Sequence, residues 1–205
     1  LVWDVLNVIG TIAFAMSGAM IAMEVKYDII GTYVLGFITA FGGGATRNLL
    51  IGLPISDVWQ QTNLFIIAFI TLTILMLLPE KTINSIKEWS FFDAVGLSAF
   101  AVQGAMYAHS IDLPIIAIMF SAAATGAGGG IVRDILAQRK PLVFRQDIYI
   151  LWALIAGLVI GLGWAVQPYQ LYALFCIILI LRVISHRFKW RMPSSRTVTK
   201  LQGNQ

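Results

Sequence analysis

The chain repeats itself, without a gap, at an offset of 86 residues. Gly10-Thr11-Ile12-Ala13-Phe14-Ala15-Met16-Ser17-Gly18-Ala19-Met20-Ile21-Ala22 lies over Gly96-Leu97-Ser98-Ala99-Phe100-Ala101-Val102-Gln103-Gly104-Ala105-Met106-Tyr107-Ala108, with eight of thirteen positions identical. The same offset carries Thr39-Ala40-Phe41-Gly42-Gly43-Gly44-Ala45-Thr46-Arg47-Asn48 onto Thr125-Gly126-Ala127-Gly128-Gly129-Gly130-Ile131-Val132-Arg133-Asp134, so one unit has been duplicated. If each unit crosses a membrane an odd number of times, the two copies face opposite ways. That layout puts a working site near the bilayer midplane, between the copies.

Composition places the chain in a bilayer. It is 59% hydrophobic and 12% charged over 205 residues, with a mean hydropathy of +0.83, against about 25% charged residues in soluble domains. Apolar runs at 5–23, 29–51, 63–78, 91–108, 114–136, 148–166 and 169–184 each approach the ~20 residues of a spanning helix. The expectation is an all-α membrane protein with seven transmembrane helices, formed by two inverted three-helix repeats plus a seventh helix. A soluble domain of this size cannot hide seven helices that are apolar nearly all round. The first run lacks a basic leader and recurs in mid-chain, so it reads as structure and not as a signal peptide. A lone Cys176 excludes an internal disulfide.

One transmembrane domain is expected over residues 1–190, with repeat one at about 3–79, repeat two at about 91–166 and the seventh helix at about 169–185. Residues 191–205 read as a polar, disordered cytoplasmic tail. Basic residues set the orientation: Lys26, Lys81, Lys87, Arg139, Lys140, Arg145 and the run from Arg187 to Lys200 share one side, while the loops around Asp57, Asp112 and Gln167 carry none. Cytoplasmic loops hold the Lys and Arg excess, so the amino terminus is expected outside and the carboxyl terminus inside. The net charge of +4 is this excess, which favours anionic lipid and lacks the pattern of a nucleic-acid binder.

The glycine triplets Gly42, Gly43, Gly44 and Gly128, Gly129, Gly130 fall just past the centres of the second and fifth runs. Each glycine costs a helix about 1 kcal/mol against alanine, so a kink or break is expected there. Broken helix at membrane depth must face protein or water, and a pore supplies such water. The competing use is close packing, because Ala40 and Gly44, Gly126 and Gly130, and Gly18 and Ala22 follow small-xxx-small spacing.

Arg47 and Arg133 each follow a triplet at the third position. An ionised group inside a span is expensive and points to function, although it can also snorkel to a headgroup or cap a helix end. Asp134 follows Arg133 where Asn48 follows Arg47; neighbours on a helix do not face each other, so these need not be partners. A cation path lined by Asp134, Asn48, Thr39, Thr125, Thr46, Ser17 and Gln103 is chemically reasonable, since hydroxyls, amides and carbonyls replace part of a hydration shell. Asp4, Glu24, Asp28, Asp93 and Asp147 read as interfacial, and Trp3, Trp89, Tyr149 and Tyr169 as interfacial anchors. No phosphate loop, nucleophile with its base or His/Cys ligand cluster is present. The chain therefore offers no support for enzymatic activity, a cofactor or a metal site beyond transient monovalent cations.

Gly-Gly-Gly-x-x-Arg-Asn at 42–48, Gly-Gly-Gly-x-x-Arg-Asp at 128–134, the paired Gly-x-x-Ala-Phe-Ala segments and the seven-span length resemble the prokaryotic trimeric intracellular cation (TRIC) channels. Bacterial sequences of this type are also labelled glycine transporters. The resemblance implies a homotrimer in the inner (plasma) membrane, with a pore in each protomer that passes potassium and sodium. It also implies pore hinges at Gly42 to Gly44 and Gly128 to Gly130, with Arg47, Asn48, Arg133 and Asp134 beside them. Animal members carry a Lys-Glu-Val element and bind a phosphoinositide; here Met23-Glu24-Val25 lacks the lysine, so that property is not carried over. The alternative is a secondary carrier for a small zwitterion such as glycine, with Arg47 or Arg133 holding its carboxylate.

Overall fold

The computed structural model describes residues 1–79, 83, 88–144 and 148–190. Glu80, Lys81, Lys87, Arg145, Asp147 and the expected tail from Arg191 onward lie outside the described residues. The helices follow in the order α1 (Val2–Glu24), α2 (Ile29–Leu50), α3 (Thr62–Leu77), α4 (Trp89–Ser110), α5 (Ile115–Leu136), α6 (Tyr149–Gly161) and α7 (Pro168–Arg187). Five of them, α1, α2, α4, α5 and α7, are long and apolar enough to cross a membrane, and α3 and α6 are shorter apolar helices. α6 stops short of the apolar run that contains it because Gly163 takes a positive φ of 74° just beyond its end.

The duplication reaches the backbone. Lys26 and Asp112, 86 residues apart, both adopt positive φ, and so do Gly52 and Gln138. At each of these helix ends the amide that follows the positive-φ residue donates to a carbonyl of the last turn: Tyr27 to Ala22, Leu113 to Ala108, Leu53 to Asn48 and Arg139 to Asp134. This is the Schellman pattern, which satisfies carbonyls that a helix end leaves open.

α1, α2, α4 and α5 form the centre, with α1 against α2 and α4, and α5 against α2 and α4. The two repeats interlock at their shared motif: the Phe100 ring lies over Gly10, the Phe14 ring lies over Gly96, and the rings meet edge to face at 5.3 Å between centroids. Outward faces are apolar, with Ile66, Phe69, Ile70 and Ile74 exposed on α3 and Ile116 and Phe120 on α5. In a bilayer these side chains meet lipid.

Both triplet helices run unbroken as α-helix through their glycines, where the sequence led us to expect a kink or break. The glycines instead let two backbones touch. A methyl group on Gly43 would collide with the Thr125 carbonyl oxygen, and one on Gly129 with the Thr39 carbonyl oxygen. Packing at this contact occupies the faces that a break would have exposed. Gly44 differs, because nothing stands within 4 Å of the place a methyl would take.

We expect Gly43→Ala and Gly129→Ala each to lower stability by about 1–3 kcal/mol through overpacking. Gly44→Ala should hold or raise it, given the gain in helix propensity of about 1 kcal/mol. Thermal unfolding of the purified variants in detergent checks the contrast.

Candidate functional site: two buried arginine clusters

Arg47 and Arg133 sit in the last turns of α2 and α5, where a cation complements the helix dipole. Neither snorkels: their relative exposures are 5% and 0%. A buried guanidinium needs partners for its five donors, and the two repeats supply several of them from equivalent positions with different chemistry, Arg133 Nη2 having none among the described residues.

In the second repeat, Arg133 Nη1 donates to Asp93 Oδ1 at 2.8 Å and to Ser17 Oγ at 2.6 Å, and Nε donates to Asp134 Oδ1 at 3.0 Å. The sequence left open whether these neighbours pair, and they do, because the guanidinium folds back over the residue that follows it. Asp134 Oδ2 also accepts from the Leu142 amide at 3.0 Å, tying down the loop after α5. The Tyr149 hydroxyl donates to Asp93 Oδ1 at 3.3 Å. Arg182 of α7, also buried, lies 4.5 Å over the Tyr149 ring, and Arg133 lies 5.2 Å over the Trp89 ring.

In the first repeat, Arg47 Nε and Nη2 donate to Asn48 Oδ1 at 3.0 and 2.9 Å, and Nη1 reaches Gln103 Oε1 at 3.4 Å. Gln103 Nε2 donates to Asn7 Oδ1 at 2.9 Å, and Asn48 Nδ2 donates to the Pro54 carbonyl at 2.9 Å. The guanidinium stacks 4.4 Å over the Tyr107 ring. Under the 86-residue offset Asn7 corresponds to Asp93, Gln103 to Ser17 and Asn48 to Asp134, so the same frame is built once with three amides and once with two carboxylates and a hydroxyl. Among the described residues no carboxylate oxygen comes within 4.0 Å of Arg47.

Ten residues separate Asn7 from Ser17 on α1 and Asp93 from Gln103 on α4, which puts the clusters about 15 Å apart along the bundle. Between them lies the glycine contact of α2 and α5. Beside Arg47 a cavity of about 20 Å³ is lined by the polar Asn7, Thr11, Arg47, Gln61, Gln103 and Thr125, by Gly44, and by the apolar Ala40, Phe41, Val58 and Phe100.

Ser17, Gln103, Asn48 and Asp134, singled out in the sequence, therefore all contact an arginine. The threonines do not: Thr39 and Thr125 donate to the carbonyls of Leu35 and Ser121, and Thr46 to that of Gly42, each one turn back on its own helix. Asp93 and Tyr149, expected at the interface, are 0% and 2% exposed and belong to the Arg133 cluster. Asn7 and Arg182 were not singled out. The repeat offset, which pairs Asn7 with Asp93, was the signal that could have found the first, and an arginine inside an apolar run the signal for the second. Tyr169, at 71% exposure, fits an interfacial anchor.

A family model described as Glycine transporter matches residues 4–80 and 90–165, two stretches that begin at the repeat offset. The chain belongs to that family. It is 50% identical to the UPF0126 membrane protein YvgT of Bacillus subtilis (strain 168) over 94% of this chain and 96% of the relative. Among solved structures it is similar to one described as "Structural basis for conductance through TRIC cation channels", at 35% identity and TM-score 0.82 over 96% of this chain and 98% of that one. A "Crystal structure of a prokaryotic TRIC channel in 0.5 M KCl" is similar at 30% identity and TM-score 0.81 over 93% and 98% of the two chains. The glycine transporter family thus shares the all-helical TRIC channel fold, and its relatives are membrane proteins and channels, not enzymes.

The two clusters should respond differently to loss of the equivalent side chain. Asp93→Ala leaves Arg133 short of a buried counter-charge and is expected to cost about 3–5 kcal/mol. Asn7→Ala removes one neutral hydrogen bond and is expected to cost about 1 kcal/mol. Unfolding midpoints of the two variants in one detergent measure the gap.

Proposed function

We propose that the chain is a cation channel that passes monovalent cations, potassium and sodium, through a conduit between α2 and α5 in each protomer of a homotrimer. The observation that carries this reading is the pair of buried polar clusters, about 15 Å apart along the bundle, with the contact that lacks side chains at Gly43 and Gly129 between them and the Phe14 ring packed beside it. Intramembrane arginines, amides and carboxylates facing a bundle interior are the usual furniture of an ion path. Separation of α2 from α5 at the triplets opens the conduit, with the glycines as hinges, since a helix without side chains there resists flexing least. The likeness to structures named for TRIC cation channels supports the same reading. α3 and α6, about 24 and 20 Å long, complete seven crossings, with the amino terminus outside and the carboxyl terminus in the cytoplasm of a prokaryotic cell.

The second reading, a carrier for glycine, rests on the description of the family. Planar-bilayer recording of the purified chain in potassium and sodium gradients separates the two. A channel gives unitary current steps that reverse near the cation equilibrium potential. Saturable glycine uptake without unitary steps would overturn the channel reading.

Gly44→Leu places a side chain into the cavity beside Arg47, starting from a Cβ position that has no described neighbour within 4 Å. We expect the folded variant to show a unitary conductance at least about twofold lower than the parent, since conduction depends on the bore and lining of the path. Unchanged conductance would remove this cavity from the conduit.

A further inference from the structure

The two repeats form an internal comparison that bears on Arg47. In the second repeat the space above Gly130 is filled: the Tyr149 hydroxyl and Asp93 Oδ1 stand 3.1 and 3.4 Å from where a methyl on that glycine would lie, and Asp93 pairs with Arg133. In the first repeat the equivalent glycine, Gly44, has nothing within 4 Å, and Arg47 lines the cavity there. The chain thus holds an acidic oxygen beside one arginine and a cavity beside its counterpart.

We propose that Arg47 holds a small monovalent anion, a halide or a carboxylate, in the cavity beside Gly44. Three further observations favour it. The Arg47 side chain is buried, yet its hydrogen-bond partners, Asn48 and Gln103, are both neutral. The Asp57 carboxylate acts on Arg47 only from beyond contact distance, and a guanidinium out of water with no carboxylate in contact is costly, a cost that a bound anion offsets. The contact to Gln103, at 3.4 Å, is the longest of the three hydrogen bonds that Arg47 donates, so within this guanidinium Nη1 is the donor with most to gain. The rest of the lining combines neutral hydrogen-bonding groups from Asn7, Thr11 and Gln61 with apolar side chains such as Phe41 and Phe100, and adds no competing negative charge. About 20 Å³ admits a water-sized particle, which favours small anions over large ones. Bound there, the anion cancels a fixed positive charge that would otherwise repel cations at this end of the bundle.

The experiment uses the whole chain, purified in detergent in sodium gluconate, with gluconate replaced stepwise by chloride or formate at constant ionic strength, and with glycine added in a separate arm. Thermal unfolding is followed for the parent, Arg47→Gln and Asn7→Asp. Asn7→Asp puts a tethered carboxylate where the second repeat has Asp93, so it supplies a negative charge beside the cavity without removing Arg47. We expect chloride or formate to raise the parent midpoint saturably, by about 4 °C at tenfold the dissociation constant. The response should vanish in both variants, and Asn7→Asp should melt higher than the parent in gluconate. A saturable rise with glycine as well, lost in the same variants, identifies the anion as the carboxylate of a zwitterion; chloride and formate responding without glycine identify a free ion. A parent indifferent to all three, or an undiminished response in Asn7→Asp, overturns the proposal even if Arg47→Gln fails to fold. Because binding is read by unfolding and not by current, a negative result leaves the channel reading standing, and a failed bilayer recording leaves the anion site standing.

Discussion

The approach of α2 to α5 at the glycine triplets is the constraint on which the rest of the bundle depends. Gly43 lies against the Thr125 carbonyl and Gly129 against the Thr39 carbonyl, so the two helices meet backbone to backbone. Gly18 and Gly104 extend the same arrangement by admitting the side chains of Thr39 and Thr125. With helices this close, the side chains one turn further on have no route to solvent between them. Arg47 and Arg133 are carried into the interior as a result, and each must find its partners there.

How each arginine is satisfied differs because the duplicated frame has diverged at a few positions. Asp93 and Asp134 neutralise Arg133 directly, while the Tyr149 hydroxyl and the Leu142 amide hold the carboxylates in place. At the other end Asn48 keeps the geometry of Asp134 but not its charge: its oxygen accepts from Arg47 and its amide reaches the Pro54 carbonyl. One end of the bundle therefore pairs its arginine directly with carboxylates, and the other holds an arginine on which Asp57 acts only from beyond contact distance, with a cavity beside it. In the channel reading, that asymmetry makes the two ends of the path unequal even though the fold is nearly symmetric.

A charged pair also bridges the repeats near the surface, where Arg139 Nη1 meets Glu24 at 2.9 Å and the Tyr27 hydroxyl donates to the Leu136 carbonyl at 2.7 Å. Exposed pairs of this kind contribute at most about 1 kcal/mol, so they trim the join between repeats and do not create it. The join comes from the buried interlock of Phe14 and Phe100 over the opposing glycines.

Hydropathy and self-similarity determined a good deal by themselves: an all-helical membrane protein, two copies of one unit, and the pairing of each glycine triplet with an arginine. These are local or one-dimensional facts, since a bilayer imposes helix wherever an apolar run is long enough. The partners of the arginines were decided only in three dimensions. Asp93 lies four residues into α4, where an acidic residue reads as interfacial, and nothing local says that it meets Arg133 forty residues later. The same holds for the triplets, which along the chain read as breaks in a helix. Only when α2 and α5 are brought together do the missing side chains become a contact surface, because whether a glycine weakens a helix or admits a neighbour depends on what stands opposite it.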